Sequence, residues 1–546
     1  VIISEQPLTC FTNLKMMPKG FPIVSFDMHV MEDWGFHKYD ILGNRGIGHI
    51  REALSLIREK RGSFVDIHNM LVIKQDKRVK ELMEKGDCVG AFYVESPAMR
   101  GLLKKLRCTA YIDLVSASSV IRPGVAQSGM MKEYIKRFHD PKSFQYLHPV
   151  FEEHMKDTFG VMVFQEDVLK ILHHFAGLDL GESDVIRRLM SGKKAKGDTL
   201  EKLKQKYTDN CRAKGYPDTL TKEVWRQIES FCGYSFCKAH SASYAVESLQ
   251  SLYLKAYFPR EFFTGVINNE GGFFKGKRRS VYFYEAKKAG ANLHPPCVNK
   301  SEELSTLHGS DIYVGFHFVK GLEQKAVQAI LKERKRGGAF THLEDFLNRV
   351  SITNNQLELL VKIGAFRFMG LTKCETYWEK DRVFNQKKGC GSAVALLFDN
   401  GTHHEQLPDL PDGAHDQAFD EWELLGFPLC SPFDLLQNRN QYLALSLACD
   451  LPHLVGRMVT ILGLYIIRKD VPIENKGQHQ TMHYGCWYDE EHQFFDTTHY
   501  PVSIQKHPFR GAGIYKISGV VKAEFGVCSI VVAEMEKLPY VRDERY

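Results

Sequence analysis

Residues 457–470 read RMVTILGLYIIRKD, 483–498 read HYGCWYDEEHQFFDTT, and 513–535 read GIYKISGVVKAEFGVCSIVVAEM. Apolar and polar residues alternate through these stretches, β-branched and aromatic residues dominate, and Gly and Asp separate them. That pattern predicts successive strands joined by turns, enough for a small five-stranded barrel. Working backwards, the period changes. From about residue 46, Ile50, Leu54 and Ile57 recur at helical spacing between charged residues, and helical segments dominate to about 290. Breaks fall at Pro123-Gly124, Gly160, Gly177, Gly215 and Pro259. PCVNKS at 296–301 reads as a linker. Residues 313–368 read as a short helical unit with two glycine-centred turns, FVKGLEQ at 318–324 and VKIGAF at 361–366. Residues 385–430 are rich in Gly, Pro, His and acid, which is linker composition. Residues 1–45 read as short strands, clearest at FPIVSFD (21–27) and FHKYDILG (36–43). The fold class is therefore multidomain α+β.

Composition agrees. At ~100–200 residues per domain, 546 residues imply about three to five domains. Hydrophobic residues at 44% and charged residues at 25% are globular values, so wholesale disorder is excluded. Lys plus Arg is 72 and Asp plus Glu is 66, a net charge of +6 that points only to local basic surfaces. The 13 cysteines contain no CxxC pair, and Cys232 and Cys237 form an isolated Cx4C. They read as reduced thiols of a cytoplasmic protein rather than a disulfide framework or zinc site. The adjacent pairs His173-His174 and His403-His404 read as surface or core histidines. No apolar run reaches the ~18 residues that read as a transmembrane helix, so no membrane partner is expected. Val1 opens a strand-like VIIS with no Met, which reads as a chain cut from something larger.

Several segments could carry chemistry. Lys38 and Asp40 are two apart in an expected strand and share a face. An ordinary ion pair is the first reading; a cation ligand beside a phosphate-binding ammonium is the second. In SVIRPGVAQSGM (119–130), Arg122 precedes a Pro-Gly turn that either seats a phosphate or merely joins helices. In LGESDVIRRLMSGKKAKG (180–197), Ser183 or Asp184 is expected to cap a helix whose first turns hold Arg187 and Arg188, with Lys193 and Lys194 beyond it. That arrangement suits a polyphosphate, and also a plain solvated basic face. FCGYSFCKAHSASYA (231–245) joins a glycine turn to a small-residue helix. Tyr234 offers a stacking ring and Lys238 and His240 offer donors, while the small residues equally suit a packed helical hairpin.

The order of these motifs resembles one family, the bacterial DNA polymerase III alpha subunits, or C-family DNA polymerases. HKYDILGNRG, VGAFYVESPAMRGLLKKL, IRPGVAQSGMMKEYIKR, FGVMVFQEDVLKI, IRRLMSGKK and GYSFCKAHSASYA follow one another in the family's order. LHPPCVNKS, YVGFHFVKGL, EWELLGFPL and the barrel continue it. The resemblance implies the end of a nucleotidyltransferase-like palm at 1–45, fingers at 46–300 and a helix-hairpin-helix region at 301–370. A linker at 371–454 and an OB-fold at 455–546 complete it. It implies DNA-directed DNA polymerase activity on primer-template DNA and dNTPs, with two Mg²⁺ ions. Asp40 matches one of three palm aspartates and Lys38 the matching lysine. The other two aspartates, and the family's amino-terminal domain and thumb, have no counterpart, so this chain alone is expected not to extend a primer. Arg122, Arg187, Arg188, Lys193, Lys194, Tyr234, Lys238 and His240 fall at nucleotide-binding positions. Lys320, Gly321 and Gly364 fall at DNA-binding turns. Trp487 is the first choice for an exposed stacking ring on the barrel, with Tyr484, Tyr488 and Phe494 as further candidates; the alternative is that Trp487 fills the core, since so small a barrel needs large inward residues and some of the four must point inward.

Departures from the family pattern are visible. Cys237 and Ala239 replace Asn and Ser, and Glu323 replaces the second glycine of the first hairpin turn, where an anion weakens phosphate binding. Ala393–Phe398 (AVALLF) lies where the family binds its sliding clamp, without the leading Gln. The variant motifs resemble accessory, error-prone-type members, and other replisome subunits are implied partners. The rival reading is a non-catalytic DNA- or clamp-binding remnant of a split polymerase.

Overall fold

The structure, a computed structural model, describes residues 1–18, 20–39, 41, 43–122, 129–190, 199–229, 237–389, 411–475 and 478–545. The chain divides into two compact units, Val1–Arg45 and Gly46–Tyr546.

The first unit is a small aromatic cluster on a hairpin. β1 (Leu14–Met16) pairs antiparallel with β2 (Pro22–Val24), with Lys15 opposite Ile23. A short helix, Met28–Asp33, follows. Phe36 packs edge-on to Phe11, with centroids 5.0 Å apart, and lies parallel to Phe26. FPIVSFD is thus a strand only over its middle. Among its described residues, FHKYDILG contributes an isolated bridge between Lys38 and Ile2 and no strand. VIIS is not buried: Val1 and Ile3 are exposed. Three-residue strands in a two-stranded sheet bury too little to hold a longer apolar run.

The second unit is helical to residue 288. The long helix Lys238–Tyr257 runs through its middle. Ala245, Leu249 and Leu252 enter one apolar core, which includes Leu103, Leu114, Phe151 and Phe175. Leu254 enters another, with Ile50, Ile57, Phe262 and Phe283. The small residues of this helix are packing residues: Ser241 Oγ lies 2.8 Å from Ser119 Oγ, and Ser248 donates to the Phe92 carbonyl at 2.9 Å.

PCVNKS is not a linker. Cys297, Val298 and Ser301 are buried. The Val298 N–H donates to the Ala365 carbonyl at 3.1 Å, and Ser301 Oγ donates to the Val314 carbonyl at 2.8 Å. The segment joins a three-stranded sheet, β3 (Asn292–His294), β4 (Thr306–His308) and β5 (Asp311–Tyr313), in order β3-β5-β4, to the helical hairpins that follow. Those hairpins use helices Gln324–Gly337, Leu343–Arg349 and Asn354–Lys362. The two expected turns are present, with Gly321 at φ 85° and Gly364 at φ 76°, which suit a residue lacking Cβ.

The acid-rich stretch is also structural where it is described. Asp412 accepts from the Lys373 N–H at 2.9 Å, at the start of the Lys373–Gly389 helix. Asp420, on the Asp416–Leu425 helix, is fully buried and paired with Lys373, and with Arg545 at 2.5 Å. Acids are tolerated inside because each meets a cation or a helix amino terminus. Ala393–Phe398 lies outside the described residues.

The C-terminal strands close into the expected barrel. They are β6 (Met458–Asn475), β7 (Gln478–Tyr488), β8 (Phe494–His499), β9 (Ile514–Glu524) and β10 (Val527–Lys537), in order β10-β8-β7-β6-β9. Only β8–β10 is parallel, and helix Pro501–Lys506 joins β8 to β9. This 1-2-3-5-4-1 closure is the OB-fold.

Trp487 is not the exposed stacking ring expected. It is 0% exposed and packs against Tyr465, Phe495, Phe509 and Tyr515. Its Nε1–H donates to Thr497 Oγ1 at 2.7 Å, and Thr497 lies 2.8 Å from His499 Nε2. Burial pushes the His499 imidazole down to about 3, so it is neutral inside the barrel. Gly485 and Gly463 make room for the indole; a Cβ at either would lie 2.6 Å or 3.1 Å from the ring. The opposite face of β7 is covered too. Tyr488 is buried and donates to Glu285 at 2.8 Å, while Arg100 lies 3.7 Å over the Phe494 ring. Tyr484 alone of the four aromatic candidates is exposed.

Trp487→Ala is expected to destabilise the barrel by ~3–5 kcal/mol, the cost of emptying a large core site. Urea unfolding followed on the full chain checks it. A wild-type midpoint would show that the indole is not a core residue.

Candidate functional site

The site is built from the segment FGVMVFQEDVLKI. Asp167 Oδ2 accepts the backbone N–H groups of Val163 and Phe164, each at 2.9 Å, and so starts the Gln165–Lys170 helix. Burial raises its carboxyl pKa to about 6, against those two hydrogen bonds. Gln165 and Glu166 are thereby fixed in the first turn, and each reaches a different neighbour. Gln165 Oε1 accepts from Arg187 Nη1 at 3.0 Å. Glu166 accepts the Lys238 N–H at 2.9 and 3.1 Å and the Cys237 thiol at 3.0 Å. Glu166 therefore caps the Lys238–Tyr257 helix from outside, a carboxylate against the positive end of the dipole. Lys238 Nζ lies 5.3 Å over the Phe164 ring and 3.4 Å from Asp157.

Arg187 and Arg188 are not near a helix start. Their helix, Leu180–Met190, begins earlier than expected and places them in its last turn. Asp179, not Ser183 or Asp184, is the cap. It accepts the Glu182 N–H at 2.8 Å, and Glu182 accepts the Asp179 N–H at 3.2 Å, a reciprocal capping box. Ser183 is buried and donates to the Asp179 carbonyl. Asp184 instead gathers both arginines: Arg187 Nε donates at 2.9 Å and Arg188 Nη2 lies 2.5 Å away. Hydrogen bonding from Arg187 holds the Asp184 carboxyl below the usual carboxylate range.

A second group lies on the first turns of the Lys238–Tyr257 helix. His240 lies against Tyr244, with centroids 4.1 Å apart and planes tilted by 49°, and Tyr244 meets Tyr93 edge-on at 4.9 Å. Arg122 Nη2 donates to the Tyr93 hydroxyl. Tyr93 has φ 68°, a left-handed conformation that is strained for a bulky residue and is held by its surroundings. The fully buried carboxylate of Glu95 does much of the holding. It accepts the Gly90 N–H at 2.9 Å, the Phe273 N–H, and the Tyr282 hydroxyl at 3.1 Å. A Cβ at Gly272 would collide with the Tyr282 hydroxyl, which accounts for the second glycine of NNEGGFF.

The fold thus brings Arg187 and Lys238 together through two adjacent residues, and Arg122 and His240 through two tyrosines. Gln165, Glu166, Tyr93 and Tyr244 were not singled out from sequence. The only signal was that they lie inside motifs whose order is informative. Asp40, Lys193, Lys194 and Tyr234 lie outside the described residues. Lys320, Gly321 and Gly364 sit in the hairpin region. Gln356 braces the first turn, donating to the Gly321 carbonyl at 3.0 Å and accepting the Glu323 N–H at 2.7 Å. At the second turn, Gln417 lies over Gly364, 3.2 Å from where a Cβ would stand. Among the described residues no group of three His, Cys, Asp or Glu side chains could hold a metal ion. The described residues therefore do not make up a two-metal site, and no step is derived through one. Among them, no helix is long and apolar enough to cross a membrane.

Residues 47–215 match the family model of the bacterial DNA polymerase III alpha subunit finger domain, and residues 290–376 match a helix-hairpin-helix motif. The chain is 33% identical over 449 residues to a protein named DNA polymerase III subunit alpha from Aquifex aeolicus (strain VF5), covering 80% of this chain and 37% of the relative. It is 31% identical over 452 residues to one of the same name from Staphylococcus aureus (strain MRSA252), covering 82% and 41%. The chain thus spans about two fifths of the length of these relatives.

Asp167 gives a pH test of this architecture. Its pKa is raised on folding, so the stability it contributes is full below about pH 4 and is lost as pH rises through about 6. Asp167→Asn keeps an acceptor for the two N–H groups and cannot ionise. Relative to wild type, the variant is expected to gain stability between pH 4 and pH 7, in urea unfolding at both pH values. A difference independent of pH would contradict the buried-carboxyl assignment.

Proposed function

Because this chain belongs to the bacterial DNA polymerase III alpha-subunit family, we propose that it is the carboxy-terminal portion of a DNA-directed DNA polymerase. In that reaction a primer 3′-hydroxyl attacks the α-phosphorus of a dNTP. On this reading residues 1–45 are the end of the palm, 46–300 the fingers, 301–370 the helix-hairpin-helix region and 455–546 a nucleic-acid-binding OB-fold. Asp40 would be one ligand of the metal pair and Lys38 its phosphate-neutralising neighbour.

The observation that supports this reading most is the cationic group around Gln165 and Glu166. Arg187, Arg188 and Lys238 are held close to one another's elements before any ligand arrives. Asp184 stands in for an anion between the two guanidinium groups. A triphosphate with more charge and more acceptor oxygens competes for them without reorganising the helix. Arg122, steadied by Tyr93, and His240, packed against Tyr244, would flank the sugar and base. Lys193, Lys194 and Tyr234 belong to the same proposed site.

DNA contacts follow from the other parts. Lys320, exposed beside Gly321, would meet duplex phosphate, weakly because the Glu323 N–H is already taken by Gln356. Gly364, under Gln417, is a poorer candidate. On the barrel, stacking on a single strand passes from Trp487 to Tyr484, which is exposed. Ala393–Phe398 is a proposed sliding-clamp contact, and other replisome subunits are proposed partners.

Arg187 is the better ordered of the two arginines, with its side chain 24% exposed against 55% for Arg188. Arg187→Ala is therefore expected to weaken dNTP binding to the full chain by roughly 10–100-fold, the worth of a charge-assisted contact of ~1.5–3 kcal/mol, and Arg188→Ala by less. Equilibrium dialysis with a labelled dNTP measures both. Wild-type affinity in both variants would return this helix end to a solvated basic face.

A further inference from the structure

The segment PCVNKS forms one wall of a cavity of about 400 Å³, well away in sequence from the group around Gln165 and Glu166. That volume lies within the ~300–1,000 Å³ of small-ligand pockets. Its lining combines rings with cations. Tyr313 and His294 stack nearly parallel, with centroids 4.7 Å apart and planes 17° from coplanar. Phe368, in the short 3-10 turn Arg367–Met369, presents a ring that is 37% exposed. Arg367, next to it, donates to the carbonyls of Pro295 at 2.8 Å, Pro296 at 3.1 Å and Gly364 at 3.0 Å. Those bonds fix the guanidinium plane without neutralising it. Lys300, in the PCVNKS wall, is exposed and also lines the cavity.

Charge is unbalanced here. Among the described residues neither Arg367 nor Lys300 forms an ion pair. The one carboxylate beside the rings, Asp311, is occupied by Asn292 at 2.8 Å and lies 3.4 Å from His294 Nε2. His294 Nε2 is buried and makes no hydrogen bond. A cavity with two cations that lack a direct ion pair and three flat rings selects an anion attached to a planar heterocycle. Water would satisfy the cations but gain nothing from Phe368, and an aliphatic anion would gain little from the rings.

We propose that this cavity is a second nucleotide-binding site, separate from the group around Arg187 and Lys238, that takes a base against Phe368 and Tyr313 and its phosphate at Lys300 and Arg367. The same chemistry is offered by a free nucleoside monophosphate and by an unpaired nucleotide within a DNA strand. The site does not depend on the fingers reading, since no residue is shared with it.

Photocrosslinking on the full chain tests it, with 5-iodo-dUMP as the free probe and an oligothymidylate carrying one 5-iodo-dU as the strand probe. The expected result is a crosslink in the peptide containing Tyr313 or Phe368, cut about fivefold or more by Phe368→Ala, the worth of one stacked base. Lys300→Ala is expected to cut it too, and Arg187→Ala to leave it unchanged. Phe368 and Lys300 are both exposed, so neither variant endangers the fold. Crosslinking by 5-iodo-dUMP identifies a free nucleotide as ligand; crosslinking by the oligonucleotide alone identifies an unpaired strand nucleotide. No crosslink at these peptides with either probe overturns the proposal, as does one that Lys300→Ala leaves undiminished or that only Arg187→Ala removes.

Discussion

The helical body depends on how the Lys238–Tyr257 helix is held at its two ends. At the amino end the Glu166 carboxylate takes the first free N–H and the Cys237 thiol. At the carboxyl end Lys255 is buried and donates to the Asp87 carboxylate at 2.7 Å and to its carbonyl at 3.0 Å. Lys255 holds the Asp87 carboxyl down to about 2. Between these ends the helix contributes side chains to two apolar cores. Removing either charge partner would leave a buried or dipole-facing group without compensation, which is costlier than losing a surface contact.

The position of the candidate site follows from that arrangement. Glu166 and Gln165 are neighbours on one turn, so the cap that fixes the long helix also fixes Arg187 on the Leu180–Met190 helix. The arginines sit at the carboxyl end of their helix, where the dipole favours cations, and Asp184 one turn earlier keeps them close. A basic site made this way is stable without a ligand and gives up only one carboxylate contact to accept one. The strained Tyr93 belongs to the same logic. The Glu95 knot supplies the hydrogen bonds that keep an unfavourable backbone conformation beside Arg122.

Much of the architecture was legible because it is written locally. Alternation and turn residues marked the barrel strands, and glycine marked the two hairpin turns. What was not legible depended on partners distant in sequence. Trp487 lies on the same face as Gly485, as alternation requires, but both faces of that strand are buried, one by the barrel and one by the helices carrying Arg100 and Glu285. PCVNKS has the composition of a linker, yet its Val298 N–H finds the Ala365 carbonyl and its Ser301 hydroxyl the Val314 carbonyl. The arginine helix starts earlier than expected because Asp179, about one turn before the expected caps Ser183 and Asp184, takes the cap, while Ser183 is buried. Glu166 carried no signal of its own: a carboxylate early in a helix is ordinary, and only tertiary structure aims it at a second helix.

The central claim is that the fingers site is assembled before nucleotide arrives, through the Glu166 cap. Hydrogen exchange at the Lys238 amide in the nucleotide-free chain measures that cap most directly. The account predicts slow exchange in the free protein, little further slowing on adding dATP, and fast exchange in Glu166→Ala. Fast exchange in the free wild-type chain that slows only when dATP is added would contradict it, because the site would then be made by its ligand.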